Sequence, residues 1–163
     1  MKKMLFLLIF FIAFAECNAQ NEKKIEVSQF VTILDTFDMN ELINLIHDLG
    51  YVLDSNQQSN GFRVYLGREN KVFGNELSCS VSPENKVDHI SFSTRDNGTY
   101  KNIKKQIEEL NFKSSGLQKS RLPPVLKSEN FMRGKILISV ATRKKENDKI
   151  RYDFSFVHWN KTL

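Results

Sequence analysis

The sequence predicts an α+β fold in which two tandem units, each a helix followed by antiparallel strands, form one curved sheet with helices on one face. Amphipathic helical patterns occupy residues 38–50 and 99–111, and strand-like alternation lies between and after them. The apolar positions of the two patterns correspond at an offset of 61 residues, as in Leu42 and Ile103. A short antiparallel sheet has one apolar face, which a helix laid across it covers.

Residues 1–19 have the three-part pattern of a secretory signal peptide. Two lysines precede an apolar run of eleven residues from Leu5 to Ala15, and small residues precede a cleavage site after Ala19. The run is too short to span a membrane. Its Asn-Ala-Gln ending after a Phe-rich core resembles that of exported proteins of Bacteroidetes-type bacteria. We therefore expect a periplasmic or secreted chain with residues 20–163 as one domain. A lipoprotein acylated at Cys17 is the alternative.

Unit one of this domain spans about residues 28–94. A short helix is expected after Ser28, with a strand as the alternative. Asp38 and Glu41 form a capping box that opens the main helix, and Gly50 ends it. A first strand begins at Tyr51. Three further strands follow from alternation of apolar and polar residues, at 62–66, 77–81 and 87–94.

Unit two spans about residues 95–163. Thr99 is expected to cap its helix, and Asn111 takes the place that Gly50 has in unit one. A strand opens at Phe112, and the Pro123-Pro124 loop separates it from strands near 131–132, at 136–140 and at 150–156. Two similar triplets, Ile90-Ser-Phe92 and Phe154-Ser-Phe156, lie 64 residues apart.

Two tandem units of helices and antiparallel strands resemble the architecture of the secreted β-lactamase inhibitor proteins. The resemblance covers most of residues 20–163 as a pattern. It implies a binding scaffold that makes its contacts through the concave sheet face and loops. No motif allows an inhibitory residue of that family to be assigned here. The disulfides of that family cannot form, because Cys79 is the one cysteine after the signal peptide.

Charge is distributed unevenly along the chain. Residues 20–112 carry 10 basic and 14 acidic side chains, whereas residues 113–163 carry 12 and 4, a net of +8. The basic segment favours a protein or another acidic envelope component as partner. Lysines that keep edge strands unpaired are the alternative. Nucleic acid is not expected as a partner, because the protein is exported and no binding motif interleaves the basic residues.

The candidates for catalysis are few. Cys79 and His89 are expected opposite each other in a hairpin, where they could act as a thiol nucleophile and its base. A buried core cysteine is the alternative. His47, His89 and His158 lack the spacing of a zinc site, and phosphate and calcium loops are absent from the sequence. We therefore expect no metal and no cofactor, and an enzyme is the less favoured interpretation.

Surface aromatic and arginine side chains are the candidates for binding. Tyr65 beside Arg63, and Trp159 near Arg151, are expected on the outward face of their strands. Tyr, Trp and Arg are enriched at interface hot spots. The alternative is that a crossing loop or the short first helix covers these side chains. The sequence thus predicts an exported, non-catalytic binding or inhibitor-like scaffold. The alternatives are a small envelope hydrolase using the Cys/His pair, and a structural protein that self-associates through a sheet edge.

Overall fold

A computed structural model describes residues 24–37, 39–49, 75–82, 86–119, 124–144 and 149–159, together with the backbone of two strands at 52–59 and 62–68. Within this part of the chain, helices cover one antiparallel sheet, so the predicted α+β class is confirmed. The predicted signal peptide lies outside the described residues.

The helices lie at Val27–Thr36 (α1), Met39–Asp48 (α2) and Asn97–Glu109 (α3). The short helix expected after Ser28 is confirmed as α1. It ends at Phe37, whose left-handed backbone (φ 57°) turns the chain towards α2. The predicted cap Asp38 and stop Gly50 lie outside the described residues. None of the described helices is long and apolar enough to cross a membrane.

The cap of α3 differs from the prediction. Thr99 was expected to cap this helix, but the helix begins at Asn97 and Asp96 is its N-cap. The Asp96 carboxylate accepts a hydrogen bond from the backbone N–H of Thr99. A carboxylate at this position satisfies a helix N–H and favours the positive end of the helix dipole. At the other end, the left-handed role expected of Asn111 is confirmed by its φ of 62°.

All strand pairs of the sheet are antiparallel. The strands lie at Val52–Ser59 (β1), Phe62–Arg68 (β2), Glu76–Val81 (β3), Val87–Thr94 (β4), Lys113–Lys119 (β5), Val125–Arg133 (β6), Ile136–Lys144 (β7) and Ile150–His158 (β8). Their order is β1-β2-β3-β4-β8-β7-β6-β5. Two four-stranded meanders, β1 to β4 and β5 to β8, therefore meet at a seam between β4 and β8.

The seam pairs the two strand triplets that correspond in the sequence. Ser91 lies opposite Ser155, with Ile90 opposite Phe156 and Phe92 opposite Phe154 on either side. The triplets therefore run antiparallel about the Ser91–Ser155 pair. This arrangement is the one that two joined units would produce, but the tandem repeat itself stays a prediction.

The core lies between the helices and one face of the sheet. Phe30 of α1 meets Phe156 of β8 edge to face, with ring centroids 5.0 Å apart. Gln106 of α3 ties the helices together: its Oε1 accepts from Val27 N (2.8 Å) and its Nε2 donates to the Ile25 carbonyl (2.9 Å). Lys104 of α3 reaches the sheet at Glu129 (2.7 Å). The helices thus cover one sheet face, and no described helix packs on the other.

Candidate functional site

The sheet face opposite the helices is here called the open face, because no described helix packs on it. Strand alternation places alternate residues of β3, β4, β8, β7 and β6 on it. Most of them are polar, in contrast to the buried apolar residues between them. The open-face residues are Glu76, Ser78, Ser80, His89, Ser91, Ser93, Arg151, Asp153, Ser155, Val157, Leu137, Ser139, Ala141, Arg143, Ser128, Asn130 and Met132.

A row of hydroxyl and amide side chains crosses the middle of the open face. Ser78, Ser91, Ser155, Ser139 and Asn130 are successive partners across β3, β4, β8, β7 and β6. Two of the hydroxyls, those of Ser78 and Ser91, lie 2.8 Å apart as a hydrogen bond. Each hydroxyl can both donate and accept, so the row is able to bond polar groups of either kind.

His89 lies beside this row at the seam. Its Nε2 is 3.0 Å from the Ser155 hydroxyl. Burial lowers the pKa of His89, and the negative charge of Asp88 acts in the opposite direction. Asp88 is an extra residue in β4, because Ser80 pairs with His89 while Val81 pairs with Val87. This bulge allows Val87 and Ile90, three residues apart, to face the same core.

The predicted pairing of Cys79 with His89 is wrong. Cys79 pairs with Ile90 and is 1% exposed on the covered face, whereas His89 pairs with Ser80 on the open face. The hairpin register differs by one residue from the expected one, and a slip of one residue moves a side chain to the other face. The thiol and the imidazole therefore lie on opposite sides of the sheet. Cys79 occupies the position of a core residue.

Within the part of the chain that the structure describes, His89 and Ser155 lack the other groups of a nucleophilic site. A neutral imidazole at 3.0 Å could accept the hydroxyl proton. Nucleophilic catalysis also needs a group that orients the base and donors for the developing oxyanion. No described carboxylate forms a hydrogen bond with the His89 ring. Around Ser155 the strand pairing joins β8 to β4 on one side and to β7 on the other. The contact therefore serves to order the open face.

One end of the open face carries a charged network. Arg151 donates to Asp153 (2.7 Å), Glu76 (2.8 Å) and Ser93 (2.6 Å). Arg143 forms an ion pair with the second oxygen of Asp153 (2.6 Å). The Arg151 side chain is 18% exposed, and its Nε and Nη2 donate to groups within the protein. Its role as a binding residue stays a prediction, while its contacts show that it ties β8 to β3 and β4.

The other end of the open face is apolar. Met132, Leu137 and Val157 are successive partners across β6, β7 and β8. Trp159 follows β8, and its backbone N–H donates to the Lys135 carbonyl, which continues the ladder. Alternation then places Trp159 on the same face as Val157. Met132 and Trp159 are each 42% exposed. We call these four residues the apolar patch.

The sequence pointed to Trp159 but missed Met132 and Leu137 of the apolar patch. Leu137 alternates with the core residues Ile136 and Ile138, which identifies it as outward-facing. Its meeting with Met132 depends on the register of two hairpins. That register is not visible in the alternation of any single strand.

The remaining binding candidates, Arg63 and Tyr65, belong to β2. The register pairs Arg63 with Val81 and Tyr65 with Cys79, two residues of the covered face. The expected outward position of Tyr65 therefore gains no support. The side chains of β2 lie outside the described residues, so a binding role for these two positions stays a prediction.

The β5 edge of the sheet is poorly suited to pairing with another strand. A register shift lies between Ser114 and Leu117, and Gly116 adopts a left-handed φ of 98°. An exposed lysine, Lys113, begins the strand. Bulges and lysines are the devices by which natural sheet edges avoid edge-to-edge pairing. This edge therefore gives no support to self-association.

Comparisons with protein-family models, with curated proteins and with solved structures found no match. The resemblance to the secreted β-lactamase inhibitor proteins therefore stays a prediction. Among the described residues, no three His, Cys, Asp or Glu side chains form a group that could hold a metal ion. The candidate site is thus defined by the geometry of the open face alone.

Proposed function

We propose that the protein is an exported, non-catalytic binding protein that recognises another protein through the open face. The observation that carries this proposal is the apolar patch beside the hydroxyl row. Met132 and Trp159 are exposed on a sheet face that no described helix covers. Aromatic residues and methionine are enriched in protein interfaces, and Trp is enriched at hot spots.

The support of the patch by regular structure favours recognition over a purely structural role. Three of its residues lie on paired strands, and Trp159 is held by its backbone bond to Lys135. The backbone of paired strands is already ordered before a partner binds, so association does not require a loop to become ordered, which reduces its entropic cost. Hydroxyls next to the patch provide the polar contacts that usually surround an apolar interface centre.

Export and a tandem origin are part of the proposal. The pattern of residues 1–19 supports export, with acylation at Cys17 as the alternative route to the envelope. A duplication of one helix-and-strands unit would account for the two meanders and for the antiparallel meeting of the triplets at the seam. An inhibitor-like role is the form of binding that the resemblance implies.

The other two hypotheses have less support. A hydrolase using Cys79 and His89 requires the two side chains to meet, and they face opposite sides of the sheet. Self-association through the β5 edge is opposed by its bulge and lysine. The open face is therefore the surface to test first.

An affinity pull-down from envelope extract of the source organism tests the proposal. The bait is the protein, compared with a variant carrying Met132→Ser and Trp159→Ala. Both side chains are substantially exposed, so the fold is expected to tolerate the changes. We expect a specific partner that the double variant loses while its circular dichroism spectrum is unchanged. Retention of every specific partner by the double variant would contradict the proposal.

A further inference from the structure

We infer that the partner of the open face is an acidic protein segment that seats an apolar side chain on the apolar patch. This inference rests on the proposed function and adds the chemistry of the partner.

Two lysines, Lys113 and Lys135, lie beside the apolar patch. Lys113 of β5 is the cross-strand partner of Met132 and is exposed, so it extends the patch row with a positive charge. Lys135 is exposed in the turn between β6 and β7, and its carbonyl accepts the Trp159 N–H. Neither ammonium forms an ion pair with another described residue. Both charges are therefore available to a carboxylate of a partner.

The acidic side chains of the open face are largely engaged by the protein itself. Asp153 is shared by Arg151 and Arg143, and Glu76 accepts from Arg151. Asp88, at the bulge of β4, accepts from the Ser80 hydroxyl at 3.5 Å and keeps its charge, but it lies beyond the seam, two strands away from Leu137. Segment 113–163, which supplies all four residues of the apolar patch, carries 12 basic and 4 acidic residues. The unneutralised charge that a partner meets at the patch is thus positive.

The same charges argue against two other occupants. A second copy placed patch to patch would bring Lys113 and Lys135 towards their own counterparts, and like charges facing each other oppose association. An anionic lipid surface would satisfy the lysines, but its phosphates only accept hydrogen bonds, whereas hydroxyls such as those of Ser155 and Ser139 can also accept them. A protein segment can use all three features: the apolar patch, the lysines and the hydroxyl row.

The size of the apolar patch limits the size of the partner side chain that it can bind. Its row crosses three strands spaced about 4.8 Å apart, so it is about 10 Å wide. That width suits one aromatic or aliphatic side chain together with its neighbours in the chain. The recognised segment is therefore short, with its acidic residues flanking an apolar anchor.

Selection of a random-peptide phage library against the purified protein tests the inference. Selected peptides are then synthesised, and their affinities are measured for the wild type and three variants. The first is Lys113→Glu with Lys135→Glu, the second is Leu137→Ser, and the third is Lys101→Glu. Lys101 is exposed on α3, away from the open face, and serves as the matched charge control.

We expect peptides in which acidic residues flank an aromatic or aliphatic residue. The double lysine variant should weaken their binding about tenfold or more, since two attractions become repulsions. Leu137→Ser should also weaken binding, Lys101→Glu should change it by less than about twofold, and added salt should reduce it.

The possible failures are distinguishable. Peptides that lose affinity with Leu137→Ser but carry no acidic residues, or are indifferent to the lysine variant, would overturn the acidic chemistry and leave the binding face standing. Peptides that are all indifferent to Leu137→Ser, or no selected peptide at all, would overturn both proposals. Sedimentation with phosphatidylglycerol vesicles, reversed by the lysine variant, would identify a lipid surface instead and overturn the inference.

Discussion

The imidazole of His89 and the hydroxyl of Ser155 lie 3.0 Å apart on the open face, across the seam between the two meanders. Ser91 and Ser155 are paired directly at the same seam. These contacts place polar side chains where the two halves of the sheet meet, next to Val157 of the apolar patch. The half-buried imidazole of His89 is therefore part of the seam.

The seam should weaken as His89 becomes protonated. Burial lowers the pKa of His89 below its ordinary 6.5, with Asp88 acting in the other direction. The unfolded chain then binds this proton at a higher pH than the folded protein does. The free energy of unfolding should therefore fall as the pH drops below about 6.5. Urea denaturation at pH 7.5 and pH 5.5 measures this, and His89→Gln should show a smaller decrease. An equal decrease in both proteins would contradict the assignment.

The ion pair between Lys104 and Glu129 should contribute measurably to stability. Their side chains are 25% and 17% exposed and lie 2.7 Å apart. Burial opposes ionisation of Glu129, but its bonds to Lys104 and Ser114 outweigh burial and lower its pKa. Lys104→Met leaves this half-buried carboxylate without its cation. We expect a loss of about 1–3 kcal/mol in the free energy of unfolding.

The matched control for that prediction is on the same helix. Lys105 pairs with Glu109 at 3.3 Å, but the two side chains are 73% and 58% exposed. Lys105→Met should change the free energy of unfolding by no more than about 0.5 kcal/mol, because exposed helical pairs contribute little. Equal losses in the two variants would show that burial does not strengthen the Lys104 pair.

The N-cap of α3 should require a side chain at position 96 that can accept a hydrogen bond. Asp96 accepts from the Thr99 N–H, and this bond contributes to the lowered pKa of Asp96. Asp96→Ala should reduce the free energy of unfolding by about 1 kcal/mol. Asp96→Asn keeps an oxygen that can accept the hydrogen bond, so it should retain most of the stability that Asp96→Ala loses. Thermal denaturation of both variants decides the point. A greater loss from Thr99→Ala than from Asp96→Ala would restore Thr99 as the cap.

Cys79 should behave as a core residue in every assay. It is 1% exposed among the apolar side chains of the covered face. A thiol reagent should modify it slowly in the native protein and rapidly in urea. Cys79→Ala should lower the free energy of unfolding by about 1 kcal/mol and leave peptide affinity unchanged. Rapid modification of the native thiol, or lost affinity, would contradict this position.

Local sequence patterns were sufficient to predict the helices and most of the strands. They were not sufficient to predict how the strands pair. Period-3.6 and period-2 apolar patterns identified the helices and most strands. The cap was misassigned because Asp and Thr are both residue types that cap helices. Cys79 and His89 were paired because the hairpin register was off by one, and the bulge at Asp88 has no apolar signal. The apolar patch depends on register across three strands, which the sequence of each strand leaves open.

Site-specific photocrosslinking tests most directly whether the open face is the binding surface. A photoreactive benzoylphenylalanine replaces Leu137 on the open face or, as control, Lys101 on α3, and the protein is expressed in the source organism. We expect position 137 to crosslink to one other protein and position 101 not to crosslink to it. Crosslinking of that protein from 101 with equal yield, or no crosslink from 137, would contradict this expectation.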